Sequence, residues 1–369
     1  MRKILILTTA TGEGHNQAAK SLKEILKNKY DDVEIFDFLQ ETKATNDFIV
    51  GGYELTAKVF PAIYGICYKM SDLRFINRFL ENFSRNPRNK TLEHINNYKP
   101  DIIACTHPLA VCILGALTRK GLINVPTVSI ITDFRPHYTY FSKEISAYIT
   151  GSKFSKKELI SLGINENKIF PVGIPVNQKF YHRYDFAKEE KDYFNILLMG
   201  GSMGLSGLSS VLKEIVLNKH KLNITIVCGK NEELKKKLET KYEDSKFPNK
   251  HIKILGFTNT ISELMDSMDL IITKPGGLTT TESIHKSLPM LIPFVIPGQE
   301  TENAKFLCDE NAAIRVKHTK DINAALDNLL DNPAKLKELK DNMQRLSEPY
   351  SIIDTIRIFD DLCKKSPSK

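Results

Sequence analysis

Cysteine is sparse and scattered in this chain. Cys67, Cys105, Cys112, Cys228, Cys308 and Cys363 lie far apart, with no Cys-x-x-Cys pair among them. That spacing excludes a zinc ribbon, and thiols set in apolar runs read as buried free cysteines of a reducing cytoplasm. Long apolar runs are also lacking. None approaches the ~20 residues that cross a bilayer. The apolar run after Met1-Arg2-Lys3 is too short for the core of a secretory leader. The expectation is a protein that lies on a membrane if it meets one.

What remains is globular in texture. Hydrophobic residues make up 41% and charged residues 26%, values at which a core forms and disorder is not the default. The length of 369 residues accommodates two ordinary domains. A net charge of +8 suits nucleic acid, an anionic membrane or no particular partner.

The most informative stretch runs over residues 269–303, DLIITKPGGLTTTESIHKSLPMLIPFVIPGQETEN. It predicts a buried strand at 270–273, a break at Pro275-Gly276-Gly277, a helix over 279–286, and a second strand over 288–295. A strand that feeds a glycine turn into a helix leaves backbone N–H groups unpaired and pointing one way. Such a turn is an anion site, and glycine lets a diphosphate approach the backbone closely. Glu282 stands three residues past Thr279, on the same helical face. A carboxylate there suits ribose hydroxyls rather than phosphate. Gln299 and Glu300 follow the second strand, at the carboxyl edge where open α/β sheets bind ligands. Each part taken singly is more often a plain turn or a solvated side chain. Their order, strand–Gly-Gly–helix with Glu–strand–PGQE, points to a nucleotide sugar.

The rest of the chain alternates strands with helices. Strands are expected at 3–9, 33–38, 101–105, 127–132, 147–150 and 169–172, with helices at 16–28, 109–119 and 155–162. Residues 42–95 are helical in tendency, aromatic and basic. Between 173 and 194 the texture turns polar and charged, which marks a linker. Then FNILLMGGSMGLSGLSSVLKEIV repeats the form of KILILTTATGEGHNQAAKSLKEIL. Strands at 223–227 and 251–255 and helices at 231–242, 261–267, 321–330, 332–346 and 351–362 complete the reading. The expected fold is α/β, with two Rossmann-like domains facing across a cleft. Their bounds are 1–176 and 177–348, followed by a last helix within 349–369.

KPGGLTTTES, PGQETENA and the amino-terminal TTATGEGHNQAAKSL together resemble the glycosyltransferase family that holds the monogalactosyldiacylglycerol synthases and the processive diacylglycerol β-glucosyltransferases. The resemblance spans nearly the whole chain. It implies a GT-B-type fold and an inverting transfer of a hexose from UDP to diacylglycerol, with UDP-glucose favoured over UDP-galactose. It also implies a last helix that returns to the first domain.

His15 follows Gly12 and Gly14 at the start of the first helix. The positive end of a helix disfavours imidazolium, so the ring stays neutral, as a general base requires. From the residues alone it is equally a helix cap; the resemblance assigns it the base, with Glu13 as second candidate. GEGHNQA also starts like a dinucleotide fingerprint, with Asp37 at the end of the second strand, but Gln17 stands at the third glycine position. A dehydrogenase would also leave PGQETEN unexplained. Gly14 is a candidate for the donor, Gly201, Ser202, Gly277, Thr279 and Thr280 for the diphosphate, Glu282 for ribose, and Gln299 and Glu300 for the sugar hydroxyls. Phe257 and Thr258 stand where the resembled family holds uracil. Asp133 either orients His15 or binds the acceptor hydroxyl. His107 in THP and His137 after TDF end neighbouring strands and are assigned to the acceptor side.

No Asp-x-Asp triplet occurs, so metal-independent transfer is expected, with helix dipoles and N–H groups carrying the leaving-group charge. Residues 69–90 carry six basic and two acidic side chains interleaved with aromatics; Phe75, Arg78, Phe79, Phe83 and Arg85 are the chosen membrane and acceptor contacts. The excess of four charges, at ~1 kcal/mol each near an anionic leaflet, suffices for reversible docking at the cytoplasmic membrane face. Nucleic acid would use the same charges, but it predicts a basic stripe without a nucleotide-sugar pocket.

Overall fold

The computed structural model describes residues 2–9, 13–39, 85–182, 193–200, 207–242 and 247–365, with the backbone alone at Glu13 and Lys365. They form two parallel sheets. The first holds β1 (Lys3–Thr8), β2 (Asp32–Asp37), β3 (Ile102–Cys105), β4 (Thr127–Ile130), β5 (Ala147–Ile149) and β6 (Ile169–Phe170), in the order β2-β1-β3-β4-β5-β6. Four helices alternate with them among the described residues: α1 (Glu13–Leu26), α2 (Arg85–Tyr98), α3 (Pro108–Arg119) and α4 (Lys153–Ser161). Strands β3 and β4 are buried at every position, because a parallel sheet is covered by helices on both faces. Helix α1 buries Ala18, Ala19, Leu22, Ile25 and Leu26, a stripe at helical spacing, and leaves Lys20 in solvent.

The second sheet holds β7 (Phe194–Met199), β8 (Leu222–Val227), β9 (Lys250–Leu255), β10 (Leu270–Ile272), β11 (Met290–Ile292) and β12 (Ala313–Arg315), in the order β12-β11-β10-β7-β8-β9. Its helices are α5 (Gly207–Ile215), α6 (Glu232–Lys241), α7 (Ile261–Asp266), α8 (Gly277–His285), α9 (Gln299–Asp309), α10 (Ile322–Leu330) and α11 (Pro333–Ser347). Read from β9, this is the doubly wound order of a dinucleotide-binding sheet. Leu208, Val211, Leu212 and Ile215 of α5 are fully buried, each contributing ~1.5–3 kcal/mol.

The chain divides into two compact units: Met1–Gln178 with Pro297–Glu302 and Pro349–Lys369, and Lys179–Ile296 with Asn303–Glu348. The last helix, α12 (Ile352–Lys365), belongs to the first unit. Tyr30 donates its hydroxyl to Asp360 at 2.8 Å, Tyr350 donates to the Gly151 carbonyl at 2.6 Å, and the Ser351 N–H donates to the Val172 carbonyl at 3.0 Å. Gly173 lies under the Tyr350 ring with φ +95°, and a Cβ there would stand 2.8 Å from Tyr350 Cγ. Gly173→Ala is therefore expected to cost more than ~1 kcal/mol, through both backbone strain and displacement of the ring. A thermal melt checks this; an unchanged midpoint would remove the anchoring role of Tyr350.

Several local expectations change. The strand expected over 288–295 is only three residues long, because Pro289 and Pro293 flank it and proline has no N–H for the ladder. Gln299 and Glu300 begin helix α9 rather than lying in a loop, and the first helix starts at residue 13 rather than 16. Gly298 caps α9 with φ +104°, a conformation that favours glycine, and its carbonyl accepts from Thr301 and Glu302. Phe75, Arg78, Phe79 and Phe83 lie outside the described residues, as do Gly201 and Ser202. Arg85 is exposed in the first turn of α2. Among the described residues no helix is long and apolar enough to cross a membrane.

Candidate functional site

In the first unit the chain leaves β1, runs outward to β2, and returns to β3 on the other side of β1. The connections after β1 and β3 therefore diverge, which opens a crevice at their carboxyl ends. His15 comes from the first connection and His107 from the second. Their rings meet edge-on with centroids 4.7 Å apart, and Phe38 stands 6.3 Å from His107. A hydroxyl chain pins this corner: Thr106 donates to Thr8, and Thr8 to the Asn16 side-chain oxygen, each at 3.0 Å.

The tautomer of His15 follows from its partners. Nδ1 is 2.7 Å from the Thr106 carbonyl oxygen, which can only accept. Nδ1 therefore carries the proton, and Nε2 keeps its lone pair. Burial pushes the pKa down to about 4, with the Thr106 carbonyl opposing, so the ring is neutral near pH 7. His107 is also neutral. Its Nδ1 accepts the Leu109 N–H at 3.1 Å, capping α3 ahead of Pro108. Burial, then the neighbouring His15 and His137, holds its pKa well below the usual histidine value.

At the end of β4, Asp133 is 4% exposed and His137 is 8% exposed. Burial raises the Asp133 pKa to about 7, opposed by a hydrogen bond from Tyr140. His137 Nε2 lies 3.7 Å from Asp133 Oδ2, and its Nδ1 pairs with the Thr139 hydroxyl. Burial and the neighbouring His15 take the His137 pKa down to about 3. Gln299, expected on sugar hydroxyls, donates its amide to Asp133. The His15 ring is held directly by Thr106 and by Thr132, whose Oγ1 lies 3.2 Å from Nδ1, and Asp133 makes no direct bond to it. Thr132 is the threonine of TDF itself, whereas Tyr140 carried no signal in the sequence.

In the second unit the corresponding switch lies between β7 and β10. The turn after β10, Lys274-Pro275-Gly276, leads into α8. Gly276 caps the helix in an extended conformation (φ −65°, ψ 147°) without a side-chain bond. The first helical bond runs from Thr280 N–H to the Gly276 carbonyl at 2.8 Å. The amides of Gly277, Leu278 and Thr279 precede it, so they lack intrahelical partners and present the positive end of the helix dipole. A Cβ built on Gly276 meets no atom within 4 Å, so the space beside the turn is open. The Thr280 hydroxyl is buried and has no partner among the described residues. Glu282 follows within the same helix, half-buried, with its pKa pushed up to about 8 by burial.

Other candidates are placed less pointedly. Phe257 is 60% exposed after β9, and the Thr258 hydroxyl is bonded to Thr260 at 2.8 Å. Glu300 is buried in the first turn of α9, while Gly14 is exposed in α1. Asn303 is fully buried and donates its side-chain amide to the Pro275 carbonyl at 3.0 Å, fixing the turn ahead of α8. Its signal in the sequence is its place in the GQETEN motif. A hollow of about 420 Å³ beside β12 is lined by Arg315, Lys317, His318 and Lys335. It opens widely to solvent and holds none of the candidate residues. Among the described residues no group of three or more His, Cys, Asp or Glu is placed to hold a metal ion.

Comparison with known proteins places both halves. Residues 15–176 match the family described as monogalactosyldiacylglycerol (MGDG) synthase, and residues 195–356 match the glycosyltransferase family 28 C-terminal domain. A processive diacylglycerol beta-glucosyltransferase of Bacillus pumilus (strain SAFR-032) is 31% identical over 369 residues, covering 95% of this chain and 92% of that protein. One from Bacillus mycoides (strain KBAB4) is 29% identical over 372 residues, covering 96% and 93%. The crystal structure of Acinetobacter baumannii MurG superposes with a TM-score of 0.67 at 18% identity, over 98% of this chain and 100% of that one. Anabaena Alr3699/HepE in complex with UDP gives 0.58 at 13% identity, over 99% and 100%. These structural likenesses establish the fold, two Rossmann-like domains of the GT-B type.

Proposed function

The chain belongs to the glycosyltransferase family of the MGDG synthases and processive diacylglycerol β-glucosyltransferases, and from that premise we propose that it transfers a hexose, glucose by preference, from a UDP-sugar to diacylglycerol with inversion. The observation that carries the donor half is at α8. A helix end without a side-chain cap beside open space, a buried hydroxyl at Thr280 and a carboxyl at Glu282 are left for a ligand by the surrounding fold. The amides receive the diphosphate, and Glu282 receives the ribose hydroxyls. UDP as the carrier agrees with the UDP held by the Anabaena structure.

In the first unit His15 Nε2 takes the proton of the diacylglycerol hydroxyl. That oxygen bonds to the anomeric carbon as the bond from that carbon to the diphosphate breaks, and UDP leaves. Charge developing on the departing phosphate falls to the amides of α8 rather than to a metal. The protein works as a peripheral enzyme at the cytoplasmic face of the membrane, with the basic aromatic run of residues 69–90 as its docking segment.

Radiolabelled UDP-glucose and, separately, UDP-galactose are incubated over diacylglycerol vesicles, with and without excess chelator. Label in the extracted lipid with UDP-glucose is expected, at an unchanged rate in chelator. Counting sugars per lipid reads processivity. Label confined to the aqueous phase with both donors would end the proposal; activity lost to chelator would end its metal-free part alone.

A further inference from the structure

Between His15 and Asp133 lies a continuous hydrogen-bonded chain. Thr132 Oγ1 is 3.2 Å from His15 Nδ1 and 3.3 Å from the Tyr140 hydroxyl oxygen, and Tyr140 is hydrogen-bonded to Asp133. Every intermediate is enclosed: Thr132 is 3% exposed, Tyr140 0% and Asp133 4%. The donors run one way. Nδ1 carries a proton because the Thr106 carbonyl demands it. Thr132 can then only accept from Nδ1, which leaves its own proton for Tyr140, and the Tyr140 proton for the carboxylate. Hydroxyls aligned in this way polarise one another.

We infer that Asp133 acts on His15 at a distance, through Tyr140 and Thr132, as the buried counter-charge of the imidazolium formed when His15 takes the acceptor proton. The inference rests on the base role proposed for His15. No proton travels along the chain. Emptying Nδ1 would set its lone pair against the Thr106 carbonyl oxygen 2.7 Å away. The chain polarises, and each hydroxyl keeps its proton. The need for a counter-charge is local: burial already disfavours charge on His15, and His107 and His137, which face it, are neutral. Around the carboxylate stand His137, the neutral amide of Gln299 and the Tyr140 hydroxyl. Thr132, Tyr140 and Asp133 are positioning residues; only His15 meets substrate.

The arrangement fixes the sign of a pH effect. Asp133 helps when ionised, and its pKa is raised to about 7, whereas His15 is already neutral above about 4. The turnover number of the native chain should therefore rise with pH through the Asp133 transition and then level off.

The test measures kcat and KM for UDP-glucose and diacylglycerol across that transition, in full-length variants. Tyr140→Phe should lower kcat ~10-fold on the alkaline plateau, flatten the rise and leave both KM values unchanged. Asp133→Asn should do the same, and the double variant should be no slower than Asp133→Asn alone. Thr132→Ser, which keeps the hydroxyl, should retain the rise that Thr132→Val loses, a readout that survives if Tyr140→Phe folds poorly. Losses that multiply in the double variant, or that appear in the acceptor KM, would overturn the inference and make Asp133 a direct acceptor ligand. If His15→Ala is inactive while Tyr140→Phe matches the native enzyme, the relay fails and the base assignment stands.

Discussion

His15→Ala is expected to slow glycosyl transfer severely while leaving UDP binding intact. The structure supplies the physical reason in two parts. The Thr106 carbonyl 2.7 Å from Nδ1 holds the proton there, which leaves Nε2 basic, and burial lowers the pKa to about 4, so the basic form is present at neutral pH. A positioned general base contributes about 10²–10⁴ in rate. A fall in kcat of ~10³-fold is accordingly expected, with the native enzyme losing activity in acid as the pH drops toward the His15 transition. UDP affinity, read by calorimetry, should not change, because the residues proposed to take the diphosphate and ribose at α8 lie in the second unit. This pattern separates an enzyme from a sugar-nucleotide sensor on the same fold. Transfer within a few-fold of the native rate would remove His15 as the base.

Glu282→Gln should weaken UDP binding and, at alkaline pH, raise the melting temperature. Burial lifts the Glu282 pKa to about 8, far above the ~4.3 of an unfolded chain. Between those values the folded protein holds a proton that the unfolded chain has released. The contribution of Glu282 to stability is therefore fully present below the unfolded pKa and is lost as pH rises through about 8. An uncharged amide of the same shape escapes that loss, so the variant should melt higher than the native protein above pH 8 and show no excess in acid. Ligand binding runs the other way. Ribose hydroxyls donate to the ionised carboxylate, so native affinity for UDP should climb with pH up to about 8, and this dependence should vanish in Glu282→Gln. Replacing charge-assisted hydrogen bonds by neutral ones predicts a loss of ~10–100-fold in affinity. Equal, pH-independent affinities would show that Glu282 does not touch the ribose.

The amino-acid sequence determined what local pattern can carry. Two strand–glycine–helix openings, the Pro275-Gly276-Gly277 turn and the apolar runs around them specified parallel α/β halves, put His15 in the first turn of its helix and placed Glu282 inside the helix that follows the turn. These features depend on residues within a few positions of each other, so composition and period reveal them. Even there, Pro289 and Pro293 shortened a strand that hydrophobicity alone extended. Helix α9 escaped because its buried stripe is brief, little more than Ala304, Phe306 and Leu307.

Which strand ends meet is set by the packing of the folded chain. The Thr132 contact to His15 joins residues 117 apart, and Asn303 reaches Pro275 across 28. Strand order puts β3 between β1 and β4 and brings the ends of all three together at one edge. Which tautomer His15 adopts, which carboxyl is raised and which hydroxyls join into a chain all follow from that order. Hydrogen bonds and burial act through space, and no period along the chain encodes them.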